Sequence, residues 1–235
     1  MLKDKAIDDN LVKYLYRNHH TSPFEMVKFT FHIRCPIFVR THLIRHRTAN
    51  VNEFSQRYSE IKDGEYYSPQ EMGIRLQSKT NKQGSAPSDN EDIKRQLSEK
   101  CSEAENHLDT LFGLYEEMIG LGMSRETARF CLPNSTYTEL FFTMDLHNLL
   151  KFFSLRLDEH AQAETVVFAR AMRDLIRPLV PIAMECLERY TLNSITLSVD
   201  EIEAIRGKKK ELTGTISESE KRDYGKKLEK LGLMF

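Results

Sequence analysis

The chain has 235 residues, 40% of them hydrophobic and 29% charged, which fits a soluble protein with one large core and excludes a low-complexity or fibrous chain. Its 34 Lys and Arg nearly balance 35 Asp and Glu, so a net charge of −1 gives no global pull toward nucleic acid or an anionic membrane, and any anion site has to be local. MLKDKAIDDN lacks the apolar stretch of a secretory signal, and no run approaches the ~18 apolar residues of a membrane span, so a cytoplasmic protein is expected.

In chain order, Leu11, Val12, Leu15 and Tyr16 recur at helical spacing after Asp8 and Asp9, which predicts an opening helix ending near His19. In VKFTFHIRC, residues 27 to 35, apolar Val27, Phe29, Phe31 and Ile33 alternate with polar residues, the period of a strand with one buried face. Pro36 stops that strand and takes the first position of a helix carrying Ile37, Phe38, Leu43 and Ile44, with Arg45, His46 and Arg47 at its C-terminal end. Residues 78 to 92, rich in Gly, Pro and Ser, read as a mobile loop or lid.

A long helix is expected from Glu91 to Ile119, ended by Gly120 and Gly122. Ser124 can cap a short helix that Pro133 terminates, Thr136 to Thr143 reads as a second strand, and Asp145 can cap a helix over LHNLLKFFSLRL. His160 to Tyr190 reads as helical with a break at Pro178 and Pro181. From Ser194 the chain is charged, with a Lys run at 208 to 210 and a capping-box pattern at Ser217 and Glu220, a solvated helical tail.

The anomaly lies between His32 and Tyr58, where five arginines (34, 40, 45, 47 and 57) meet no lysine and only one acid, Glu53. Guanidinium forks pair bidentately with phosphate, so a phosphorylated ligand is indicated, while a dipole-complementing surface cap is the plainer alternative. His42 and His46 stand four apart, a spacing that can bind zinc, but no third ligand is evident, and no metal is expected. Cys35, Cys101, Cys131 and Cys186 form no Cys-x-x-Cys pair and read as reduced, largely buried thiols.

RHR, seven residues and then Ser (Arg45 to Ser55), with NEFSQRYS, resembles the signature of the flavin-dependent thymidylate synthases. HTSPFE at 20 to 25, FTFHIRCPIF at 29 to 38, ETARFCLPNSTYT at 126 to 138 and LRLDEHAQAE at 155 to 164 extend the resemblance from Leu11 through Tyr190. It implies an α+β fold: a single domain over 1–190 with a small, mainly antiparallel sheet and several helices, assembled as a homotetramer with shared active sites. Residues 191–235 would be a charged helical C-terminal extension. The implied activity is reductive methylation of dUMP to dTMP, with 5,10-methylenetetrahydrofolate as one-carbon donor and FAD passing on hydride from NADPH. No enzyme cysteine is used as nucleophile.

By the same resemblance His42, Arg45, Glu53, Ser55, Gln56, Arg57, Arg129 and Arg156 would bind dUMP, with Arg156 the catalytic cation that polarises the uracil. Ser22, Arg45, His46, Arg47, Glu53, Asp145, His147 and Lys151 would bind FAD, and His20 would lie beside flavin and folate. His160, four residues after Arg156, would share its face if that helix persists, as support for the arginine or as a core histidine. The chain departs from the family pattern at Asp145, His147, Lys151 and His42. It also begins almost directly at the part equivalent to Leu11, where relatives often carry a further strand-helix segment. A competing reading is a phosphate- or RNA-binding module built on Arg34, Arg40, Arg45, Arg47 and Arg57, but Phe29 and Phe31 fall on a buried strand face rather than an exposed stacking platform.

Overall fold

The computed structural model describes residues 5–61, 65–78, 84–158, 161–213 and 216–233. By its contacts the chain divides into two compact units, Met1–Met184 and Glu185–Phe235.

The first unit opens with helix α1 (Lys5–Arg17) and the one-turn α2 (Ser22–Glu25), in which Thr21 is the N-cap, so Ser22 and Glu25 form no capping box. Strand β1 (Lys28–Pro36) follows with the expected alternation over most of its length: Phe31, Ile33 and Cys35 are buried while Thr30, His32 and Arg34 face out, but Phe29 is only half-buried and Val27 precedes the strand and is exposed. Pro36 is the N-cap of α3 (Ile37–Leu43), one position before the helical start that its fixed φ suggested. The arginine-rich stretch then contains a strand that polarity concealed, β2 (Asn50–Glu53).

Strands β3 (Arg75–Gln77) and β4 (Ser85–Pro87) pair as a hairpin, and α4 (Glu91–Gly120) begins on an Asn90 cap. The expected loop at 78 to 92 is therefore partly regular structure, and its residues 79–83 lie outside the described residues. Composition misled here because a three-residue strand ending in Pro87 is held by its partner's backbone, with no burial pattern of its own. Helix α5 (Arg125–Ala128) continues as a 3₁₀ turn at Arg129–Cys131 and leads into β5 (Tyr137–Asp145).

The sheet has the order β1-β5-β2, antiparallel throughout. The register sets Phe31 opposite Phe142 and Ile33 opposite Leu140, so both strands send their apolar faces to one side. Helix α6 (Leu146–Arg156) packs on that side, with the Phe152 ring 6.1 Å from Phe142, and α7 (Ala163–Ile176) packs on α6 and α3; Leu149, Phe152, Phe153, Ala169 and Met172 are buried. Asp145 caps α6 as expected, accepting from the Asn148 backbone N–H at 2.9 Å. Helix α6 ends at Arg156, so it does not carry Arg156 and His160 on one face, and His160 lies outside the described residues. After the expected break, α8 (Pro181–Leu187) starts on Pro181, and the division between the two units falls inside it, before residue 190.

The second unit holds α9 (Val199–Arg206) and α10 (Glu218–Leu231), each opened by a complete capping box, Ser198 with Glu201 and Ser217 with Glu220. It is more than a solvated tail, because Ala204, Leu212, Tyr224 and Leu228 form a core of their own. Glu201 is only 5% exposed and accepts both a 2.7 Å bond from the Ser198 N–H and two 2.8 Å contacts from Lys227 Nζ. Lys227→Met strands that carboxylate and is expected to cost about 3 kcal/mol or more in urea unfolding. Pairing it with Glu201→Leu should recover only part of the loss, because that change also removes the capping-box bond to the Ser198 N–H, and a neutral single variant would contradict a stabilising pair.

Candidate active site

Helix α3 and the turn after it carry Arg40, His42 and the Arg45–Arg47 triplet, and two groups of side chains form around them. The first lines a cavity of about 360 Å3 made by Ile37, Arg40, Glu53, Phe54, Ser55, Gln56 and Arg129. Strand β2 delivers Glu53 opposite Leu140 of β5, and the Phe54 N–H extends the ladder to the Glu139 carbonyl at 2.8 Å. Glu53 is fixed from two sides: Arg40 Nε donates to Oε2 at 2.7 Å, its NH2 pairs with the same oxygen, and Thr138 Oγ1 donates to Oε1 at 3.0 Å. A carboxylate so held cannot rotate, which makes it a directional acceptor at the cavity wall.

Four of the expected nucleotide residues, Glu53, Ser55, Gln56 and Arg129, thus meet in one cavity. Arg40 joins them, although the family resemblance gave it no role in the nucleotide site. The only signal for it was Glu53, a lone acid among arginines that needed a partner once half-buried. Arg57 follows Gln56 but turns its guanidinium to Glu126, with Nε and NH2 at 3.0 and 2.8 Å from Oε2.

The second group forms where α6 meets the triplet. Arg156 Nε donates to His46 Nε2 at 2.8 Å, and the Phe152 ring meets the His46 ring edge-on at 4.8 Å. Phe152 and Arg156 are four apart on α6, so one helical face grips the imidazole with both a ring and a cation. As an acceptor at Nε2, His46 carries its proton on Nδ1 and is neutral. Burial first, then the charge of Arg156, with His42 and Lys151 adding, push it down to about 4. His42 is lowered likewise by burial and by Arg156, and its Nδ1 lies 2.9 Å from Thr165 Oγ1. The cation of this cluster is Arg156, whose own value burial lowers without discharging it.

This neutral imidazole has a pH signature. Between 6.5 and about 4 the unfolded chain takes up a proton that folded His46 refuses. Its contribution to stability is therefore complete above pH 6.5 and is lost as the pH falls toward 4. Urea unfolding at stepped pH should show that decline, with a shallower one in His46→Gln; equal slopes would contradict a neutral, buried His46.

The flavin candidates gather only in part. Lys151 lies close enough to His46 to act on its proton, and Arg45 and Arg47 flank it in sequence. The side chains of Arg45, Arg47 and Lys151 make no hydrogen bond or ion pair to any described residue, and together they suit a polyanion such as a flavin diphosphate. Asp145 is used in the α6 cap, where it also takes 2.7 Å from Asn148 Nδ2, and His147 lies one turn before Lys151. His20 follows His19, a left-handed residue at φ 57°, and meets the Tyr14 ring edge-on at 6.0 Å. Ser22 is exposed at the start of α2, which packs on α6. No group of three or more His, Cys, Asp or Glu suited to a metal occurs among the described residues, and His42 and His46 face Thr165 and Arg156.

Residues 2–182 match the family model described as "Thymidylate synthase complementing protein". The chain belongs to the flavin-dependent thymidylate synthase family. It is 42% identical over 225 residues to the flavin-dependent thymidylate synthase of Wolbachia pipientis wMel, covering 95% of this chain and 78% of that one. With the Dictyostelium discoideum relative it shares 42% over 229 residues, 97% of this chain and 72% of the relative. The crystal structure of a UMP/dUMP methylase, PolB from Streptomyces cacaoi, bound with 5-Br dUMP, superposes with a TM-score of 0.71 at 32% identity, covering 82% of this chain and 83% of that one. Family membership and fold agree with the resemblance drawn from the motifs.

Proposed function

We propose that the chain catalyses the reductive methylation of dUMP to dTMP, with dUMP in the cavity of Glu53, Ser55, Gln56 and Arg129. The observation that carries this reading is the bond from Arg156 Nε to His46 Nε2, which joins two motifs 110 residues apart in one cluster. In this reading Arg156 would hold its charge against the uracil N3 and the adjacent carbonyl, so that electron density rises at C5, where the new bond forms. The rigid Glu53 accepts from nucleotide donors, and Ser55, Arg57 and Arg129 take the phosphate. His46, neutral and clamped, orients Arg156 and adds no competing charge. A bound flavin, once reduced by NADPH, would supply the hydride that completes the methyl group, with 5,10-methylenetetrahydrofolate as the one-carbon donor. Arg45, His46, Arg47 and Lys151 would hold FAD, with Ser22, Asp145 and His147 as further contacts and His20 beside flavin and folate.

The cysteines support a mechanism without sulfur attack. Cys35 is fully buried, and burial first, then Glu53, push its thiol up to about 12, far from a usable thiolate. Cys131 is only partly buried, and its Sγ donates to the Ala128 carbonyl at 3.3 Å. Family likeness favours a homotetramer with shared sites, and the exposure of Arg45, Arg47 and Arg57 in one chain suits a site that other copies complete. A cytoplasmic setting fits the charge balance, and no described helix is long and apolar enough to cross a membrane.

The test is the purified chain's visible spectrum together with its product. A yellow protein forming dTMP from dUMP, with UMP as control substrate, is expected. A colourless, folded chain that binds phosphate or RNA without turnover would favour the binding-module reading.

A further inference from the structure

We propose that Glu126 competes with the nucleotide phosphate for the Arg57 guanidinium, and so sets the affinity for phosphorylated substrate. The inference rests on the reading of the Ser55–Arg129 cavity as the dUMP site. Glu126 sits in the first turn of α5, in the same short stretch as Arg129, and its backbone carbonyl accepts from Arg129 Nε at 3.3 Å. On the facing segment the Arg57 N–H donates to Ser55 Oγ at 3.3 Å. The Arg57–Glu126 pair therefore spans two residues, Ser55 and Arg129, that line the cavity.

The geometry of the pair is a weak form of guanidinium recognition. Nε and NH2 both reach one carboxylate oxygen, Oε2, at 3.0 and 2.8 Å, instead of taking two oxygens in parallel. A phosphate offers two oxygens to the same edge and a second negative charge, so it makes the stronger bidentate contact. Both partners are 53% exposed, where an ion pair contributes little and is easily surrendered. With Arg40 neutralised by Glu53, release of Glu126 leaves Arg57 and Arg129 as two cations for one phosphate dianion. The carboxylate then stands as a like charge beside the phosphate and raises the energy of the bound state.

The test is calorimetric titration of the flavin-loaded full chain with dUMP and with deoxyuridine, which lacks the phosphate. Glu126→Gln removes the charge and keeps the shape, and dUMP should bind about threefold to tenfold more tightly while deoxyuridine is unchanged. Glu126→Ala is the second variant and should act in the same direction. In an Arg57→Ala background the gain from Glu126→Gln should vanish. Unchanged or weaker dUMP binding in both Glu126 variants overturns the inference, as does equal tightening of deoxyuridine or a gain that survives Arg57→Ala. If the wild-type chain binds no dUMP, the functional reading fails and this inference with it; if it does bind and the variants do not tighten, the inference alone fails.

Discussion

Arg156→Ala should lower dTMP formation by about 10²- to 10³-fold or more, the scale of removing one preorganised electrostatic group from a reacting centre. In this chain the loss has two parts. The uracil loses the cation that draws electron density toward C5, and His46 loses the donor that holds its ring. Arg156 is also among the charges that depress His46, so the variant's imidazole should titrate above its present value of about 4. Flavin content should persist, because Arg45, Arg47 and Lys151 are untouched. Arg156→Lys restores charge without the planar fork and should recover only part of the rate. Full turnover by the alanine variant would remove Arg156 from the chemistry.

The second large effect is expected at the phosphate. Arg57→Ala should weaken dUMP binding by about 10- to 100-fold, the range of a charge-assisted hydrogen-bonded contact. Stability should hardly move, because the Arg57–Glu126 pair it breaks is half exposed. Flavin binding should also hold, since the flavin cations belong to the other cluster. Equal losses for dUMP and flavin would mean that Arg57 supports the site as a whole, and unchanged dUMP affinity would place the phosphate elsewhere.

Much of this was legible in the amino-acid order, for reasons visible residue by residue. Phe31 and Ile33 alternate because one sheet face is buried, and the Asp145 and Ser217 caps are local hydrogen bonds that local sequence can announce. Strand β2 was not legible, because three of its four residues, Asn50, Asn52 and Glu53, are polar and the strand is held by pairing with Thr143 to Leu140 of β5, not by its own propensity. The core of the C-terminal unit hid among charges for a related reason: Tyr224 and Leu228 are the buried apolar residues of a mostly charged α10, and their partners, Ala204 and Leu212, lie elsewhere in the chain.

The site divides in the same way. The motifs named the arginines, since a cluster of five with one acid is a compositional fact. Which anion or acceptor each one meets is a matter of three dimensions. Arg40 finds Glu53, Arg57 finds Glu126 and Arg156 finds His46, and on these pairings rest the proposed roles of structural clamp, competed phosphate ligand and catalytic cation.

In the proposed reaction positioned guanidinium groups and a reduced flavin, and not an enzyme thiol, carry the methylation. The direct measurement is dTMP formed from dUMP, methylenetetrahydrofolate and NADPH by a flavin-loaded chain in which Cys35, Cys101, Cys131 and Cys186 are all replaced by alanine. Turnover close to that of the unaltered chain is expected once the variant is shown to fold. A folded, flavin-loaded variant that makes no dTMP would contradict it.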